Sequence, residues 1–252
     1  MNIVLLGDSI AEGLGVAGCS YADGIAANLR ATQQEVQITN LAGSANQITS
    51  SQALIAKIIS MRPDIVIIAH GITEALIRPV PSAMKFVPAR WRQIGWLDPR
   101  PYFSRRWWKR IYHKIESSLR WRIKVYLIKK YGGCTLTARE EFERLMFETV
   151  ERLLQQTPAN IILLTHNGID ERYYPGSLTS LNHYKHSIER VVLGNRTPRV
   201  QFCDISDLLE EWSDFFDDHF HPNARGHSKI AKAICTLLPG NTIDTAITVY
   251  NT

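Results

Sequence analysis

Ser9 stands in Gly7-Asp8-Ser9-Ile10-Ala11-Glu12-Gly13, directly after the apolar run Ile3-Val4-Leu5-Leu6. A serine between a strand and a helix sits where backbone N–H groups converge, so its own N–H can help hold an oxyanion. The same tripeptide also suits a glycine turn with Ser9 as a helix N-cap. A serine nucleophile needs a base, and the base needs an acceptor that orients it. Near the other end stands Asp218-His219-Phe220-His221-Pro222-Asn223. With Asp218 three residues before His221, the carboxylate can fold back onto the imidazole and favour its charged form. The order is Ser, Asp, His, with acid and base on one loop.

Other candidates are weaker. His219, His221 and His227 lack the carboxylate pattern that would accompany a metal site, so no metal and no cofactor is expected. Gly13-Leu14-Gly15 lacks the order of a dinucleotide loop and has no phosphate-loop lysine. His166 reads as a hydrogen-bonded loop residue and His219 as an exposed turn residue.

Short apolar runs at 2–6, 36–41, 64–69, 160–165 and 200–203 suit parallel strands covered on both faces. Helical periodicity appears at 21–31, 49–61, 138–156, 178–192 and 223–238. Thr137 and Glu140 read as a capping box for the third of these. The alternation predicts an α/β fold, a three-layer sandwich around a doubly wound sheet, with ligands at the carboxyl ends of the strands.

Gly7-Asp8-Ser9 and Asp218-x-x-His221-Pro222 resemble the first and last blocks of the SGNH (GDSL-type) hydrolase superfamily. Two middle blocks extend the resemblance: Gly43, in Asn40-Leu41-Ala42-Gly43, and His70-Gly71-Ile72-Thr73-Glu74. It implies a flavodoxin-like parallel five-stranded sheet, a Ser9–His221–Asp218 triad, and an oxyanion hole of Ser9, Gly43 and Thr73. Asp8, Asn46 and Glu74 are then expected at the substrate. This chain has Thr73-Glu74 where the family has Asn-Asp, so the missing amide is replaced by the threonine hydroxyl, by Asn46 or by an insert residue. The implied activity is a serine esterase acting on an acylated carbohydrate or similar small ester. The alternatives are a lysophospholipase-like lipid esterase or O-acyltransferase at a membrane surface, or a weakened member that binds glycan or protein.

The chain has 252 residues, 45% hydrophobic and 21% charged, which excludes a disordered, collagenous or coiled-coil protein. Its net charge of +5 is unevenly divided. Residues 78–130 hold 15 of the 29 Lys/Arg and two of the 24 acids, a local charge of +13 against −8 elsewhere. Trp91, Trp96, Trp107, Trp108 and Trp121 lie there too. The expected organisation is one domain, 1–252, with an insert at about 78–133. Pro79, Pro81, Pro88, Pro99 and Pro101 break its first half. From Ser104 it can be helical, with Trp107, Ile111, Ile115, Leu119, Ile123, Val125 and Leu127 packing onto the acidic body. The same composition suits an anionic membrane surface or a glycan. Nucleic acid ranks last, because no motif for it accompanies the charge. Cys19, Cys134, Cys203 and Cys235 read as reduced thiols. No apolar run nears the ~20 residues of a membrane span. Without a signal segment, the expected location is cytoplasmic, with peripheral membrane contact left open.

Overall fold

The computed structural model describes residues 1–92, 106–211 and 213–239. Expectations for Trp96, Pro99, Pro101 and a helix start at Ser104 lie outside the described residues.

The first half runs β1 (Asn2–Gly7), α1 (Ser9–Glu12), α2 (Tyr21–Ala31), β2 (Gln37–Asn40), α3 (Ile48–Ser51), α4 (Ile55–Ser60), β3 (Ile65–Ala69) and α5 (Ile72–Ala75). Then come β4 (Arg78–Pro79), α6 (Trp107–Tyr131), β5 (Gly133–Cys134), α7 (Arg139–Gln156), β6 (Asn160–Leu164), α8 (Ser177–Asn195), β7 (Val200–Cys203) and α9 (Ala224–Cys235). The main sheet has the order β2-β1-β3-β6-β7, every pair parallel. This is the flavodoxin-like arrangement, in which the chain winds to one side of β1 and then reverses to the other. The central strands β1, β3 and β6 are Ile/Val/Leu-rich and buried on both faces, while β2 and β7 at the edges are more open. The helices divide into two layers. One packs α2 against α9, and the other packs α7 against α8, α3 and α4.

Local chemistry adjusts several expected boundaries. The helix expected over 49–61 is α3 and α4 joined by a tight turn at Gln52–Leu54, where Gln52 reaches across to the Thr149 hydroxyl at 2.6 Å. The Thr137–Glu140 capping box does not form. Ala138 occupies the N-cap of α7, and the Thr137 hydroxyl donates to Gln47 Oε1 at 2.8 Å instead. The buried stripe of α7 includes Phe142, Leu145, Met146, Val150 and Leu153, as its periodicity requires.

The insert leaves and rejoins the body through a two-stranded antiparallel ribbon, Arg78 opposite Cys134 and Pro79 opposite Gly133. A satellite core of Ala83, Val87, Trp91 and Leu127 fills its base. Helix α6 overturns the expectation that the whole Trp and Ile row packs inward. Ile123, Val125 and Leu127 do pack, but Trp107, Ile111, Ile115 and Leu119 are exposed, while Ser117, Arg120 and Lys124 are buried. The cause is geometric. A four-residue repeat advances about 40° per step around a helix of 3.6 residues per turn. The row therefore spirals from the outward face at Trp107 to the inward face at Leu127.

Candidate active site

The carboxyl ends of β1 and β3 meet where the winding reverses. Gly7, the last residue of β1, pairs with Ala69, the last of β3. A Cβ at Gly7 would come within 2.5 Å of the Ala11 Cβ and 2.7 Å of the Ala69 carbonyl oxygen, so only glycine lets the chain turn there. Asp8 then caps the single turn α1, its Oδ1 accepting from the Ile10 N–H at 2.9 Å. The N-cap is thus Asp8, and Ser9 occupies the first helical position instead. The Ser9 N–H makes no hydrogen bond among the described residues.

The opposing loop is held just as tightly. Phe215 bridges Pro222, and the Phe216 N–H donates to the His221 carbonyl at 2.9 Å. Asn223 caps α9, accepting from the Arg225 and Gly226 N–H groups, while its amide donates to the Ser213 and Phe215 carbonyls. Gly226 lets α9 lie against Asp214, because a Cβ there would meet the Asp214 carbonyl oxygen at 2.4 Å. The buried Asp214 carboxylate pairs with Lys229 at 2.7 Å and Arg225 at 3.0 Å.

These two clamps bring together groups 212 residues apart. Ser9 Oγ lies 2.9 Å from His221 Nε2, and His221 Nδ1 lies 2.6 Å from Asp218 Oδ2. Asp218 Oδ1 also accepts from the Phe220 and His221 N–H groups, each at 3.0 Å. Burial works to raise the Asp218 carboxyl, but the hydrogen bond and charge of His221 and the two N–H groups hold it below the usual carboxylate range. An ionised Asp218 requires the proton on Nδ1, which leaves the Nε2 lone pair facing the Ser9 hydroxyl. So disposed, the imidazole can take the hydroxyl proton and the serine can attack a carbonyl.

Other residues expected here serve the scaffold. Asp8 is almost fully buried, and its Oδ2 accepts from the Thr73 hydroxyl at 3.0 Å. Burial raises the Asp8 carboxyl, against the pull of the Ile10 N–H and Thr73 hydroxyl. Thr73 therefore spends its one proton on Asp8, which counts against its expected place as oxyanion donor. The Gly43 N–H donates to the Gly7 carbonyl at 3.2 Å, so it too is engaged. Glu74 has no exposed surface; its carboxyl accepts from the Ile48 N–H at 2.6 Å and the Gly71 N–H at 3.0 Å. It braces two loops and does not face a substrate. Burial, helped by the Asp8 charge and opposed by those N–H groups, raises Glu74 to about 7. Beside it, burial lowers His70 to about 3, with its Nε2 2.8 Å from the Ser51 hydroxyl. Asn46 is half-buried over Gly43, its amide nitrogen 3.0 Å from where a Cβ would stand.

His227, His166 and His219 also have structural partners. His227 accepts from the Tyr21 N–H at 3.1 Å and stacks on the Tyr21 ring; burial and the His221 charge lower it to about 4. His166 is buried, with Nε2 2.8 Å from the Leu181 carbonyl. His219 is half-buried and stacks on Tyr173 at 4.7 Å, which gives it more cover than an exposed turn residue. Among the described residues no His/Cys/Asp/Glu group could hold a metal ion, and none of Cys19, Cys134, Cys203 and Cys235 forms a disulfide.

Sequence reading passed over Ala45. It holds φ 61 in the turn after Gly43, and its N–H makes no hydrogen bond among the described residues. Its one signal is a place in the Gly43-Ser44-Ala45-Asn46 turn, which is tied to α1 by the Ser44–Glu12 hydrogen bond of 2.6 Å. A cleft of about 520 Å³ with mixed polar and apolar walls lies beside His219, lined by Ile169, Asp170, Leu178, Lys185, Glu211 and Phe215 among others and by none of Ser9, His221 and Asp218.

A doubly wound sheet that presents a serine after its first strand, facing an Asp-x-x-His loop before its last helix, defines an α/β/α class of hydrolases. Within that class the sequence matches the GDSL-like lipase/acylhydrolase family over residues 5–229, and the chain belongs to it. Among solved structures, TesA is similar with a TM-score of 0.61 at 11% identity, covering 95% of this chain and 98% of that one. A catalytic mutant of Axe2, an acetylxylan esterase from Geobacillus stearothermophilus, gives 0.59 at 16% identity, covering 94% and 93%. The acetyl xylan esterase AlAXEase gives 0.59 at 15%, covering 94% and 100%. These identities speak to the fold alone. No curated protein matches the sequence.

Proposed function

We propose that the chain is a serine esterase that cleaves O-acyl esters of a carbohydrate or similar small polar alcohol through an acyl-enzyme on Ser9. The observation that carries this reading is the continuous Ser9–His221–Asp218 relay at the carboxyl end of β1. His221 takes the Ser9 proton as Ser9 Oγ bonds to the ester carbonyl carbon. The imidazolium returns that proton to the leaving alcohol oxygen as the ester bond breaks. The oxyanion is met by the Ser9 N–H, with the Ala45 N–H as second donor, since Gly43 and Thr73 are engaged elsewhere. Water activated by His221 then releases the acid; an alcohol in its place would receive the acyl group.

The fold favours this substrate class, since acetylxylan esterases are among the chains that share it. Ser9→Ala and His221→Ala are each expected to lower kcat/KM on p-nitrophenyl acetate by about 10³-fold or more, with the thermal midpoint near wild type. A parallel panel of acetylated sugars and lysophospholipids ranks the substrate class. Undiminished hydrolysis in either variant would remove the serine mechanism, and a preference for lysophospholipids would replace the carbohydrate substrate.

A further inference from the structure

We propose that the outward face of α6 is a docking surface for an anionic lipid bilayer. Trp107 is 67% exposed, Ile115 66%, Trp108 52% and Leu119 52%, with Ile111 and Tyr112 similarly open. At about 100° per residue these six side chains share one arc of the helix. Soluble proteins seldom leave so many large apolar groups contiguous without a use for them. Further along the same face the chemistry changes to Arg122, Tyr126, Lys129 and Lys130, all exposed. An apolar patch with Trp and Tyr, continued by cations, matches the boundary between acyl chains and anionic headgroups. No helix among the described residues is long and apolar enough to cross a membrane, so the contact is one of lying on the surface.

Charge and aliphatic surface together select the bilayer over other occupants. A second copy would bring one +13 insert against another. Trp107, Trp108 and Tyr112 could stack on bases, but Ile111, Ile115 and Leu119 interleave them with aliphatic surface that acyl chains bury and a phosphate backbone does not. The helix is also coupled to the catalytic loop. Lys114 pairs with Asp217 at 2.7 Å, and Trp121 packs edge-on against Tyr173, which stacks on His219. A bilayer under α6 would thus lie beside the loop that carries His221. The proposal goes beyond the esterase reading and does not depend on it, because binding is measured without turnover.

The experiment is sedimentation of the full chain, as Ser9→Ala, with vesicles of phosphatidylcholine alone or mixed equally with phosphatidylglycerol. Binding is expected only to the mixed vesicles and is expected to weaken as salt rises. The triple variant Ile111→Ser, Ile115→Ser, Leu119→Ser should bind at least about tenfold more weakly. Arg122→Glu and Lys129→Glu should each cost about fivefold or more, with the circular dichroism spectrum unchanged. Equal binding to neutral vesicles, or no loss in the triple variant, would overturn the proposal. So would a dimer of the full chain that the triple variant dissociates, since a second copy would then cover the face.

Discussion

Asp218 and Glu74 are both buried carboxyls, and their partners send them in opposite directions. Asp218 faces an imidazole and two N–H groups and is held ionised, whereas Glu74 accepts two N–H bonds in a fully buried site and is raised to about 7. Because the folded value of Glu74 lies above its ordinary 4.5, its stabilisation is fully present below that pH. It is lost as pH rises through about 7, at up to about 1.4 kcal/mol per pH unit. His70, lowered from 6.5 to about 3, does the reverse: its contribution is present above 6.5 and lost as pH falls. Between pH 4.5 and 6.5 the two slopes nearly cancel. Glu74→Gln is therefore expected to make urea-measured stability fall more steeply than wild type on acidification across that interval. Parallel profiles would contradict the assignment. At this scale the grouping of Ser9, His221 and Asp218 was legible from type and spacing, but the partners of Thr73 and Gly43 were not. Thr73 bonds a residue 65 positions away, and Gly43 bonds the end of another strand; such partners exist only once the sheet has formed.

At the scale of elements, two short devices aim the reacting groups: the Asp8-capped turn after β1 and the Asn223-capped start of α9. Asn223 does two jobs, accepting from the first turn of α9 and donating to the Ser213 and Phe215 carbonyls. Asn223→Ala should lower stability by about 1–2 kcal/mol. It should also reduce kcat roughly ten- to hundredfold by loosening the loop that holds His221. Asn223→Asp keeps the cap and loses only the donors, so it should recover most of the stability with a smaller recovery of kcat. Urea melts and steady-state kinetics on the two variants check this; equal losses in both would place the whole effect in the donors. The strands and major helices were legible because apolar period and length separate them. The capping box at Thr137 was misleading because Gln47, from a distant loop, offers that hydroxyl an acceptor. The outward turn of α6 lay in its four-residue spacing, but the sequence alone did not say which end of the spiral meets the body.

Over the whole molecule, charge and catalysis occupy different parts of one fold. The −8 body supplies the sheet, the clamps and the relay, and the +13 insert is a ribbon-tethered helix laid beside the catalytic loop. Burial on the inward face of that helix lowers Lys124 to about 6, with Arg120 and Arg78 adding their repulsion. Fold class followed from the alternation of apolar runs, and strand order from the family resemblance; the two-faced character of the insert needed the structure. The central claim, that Ser9 is an activated nucleophile, is met most directly by intact-mass and peptide mapping after treatment with a fluorophosphonate. One adduct is expected, on Ser9, in wild type, none in Ser9→Ala, and strongly slowed labelling in His221→Ala. Wild type left unlabelled, or labelled at another serine while Ser9→Ala still hydrolyses ester, would contradict it.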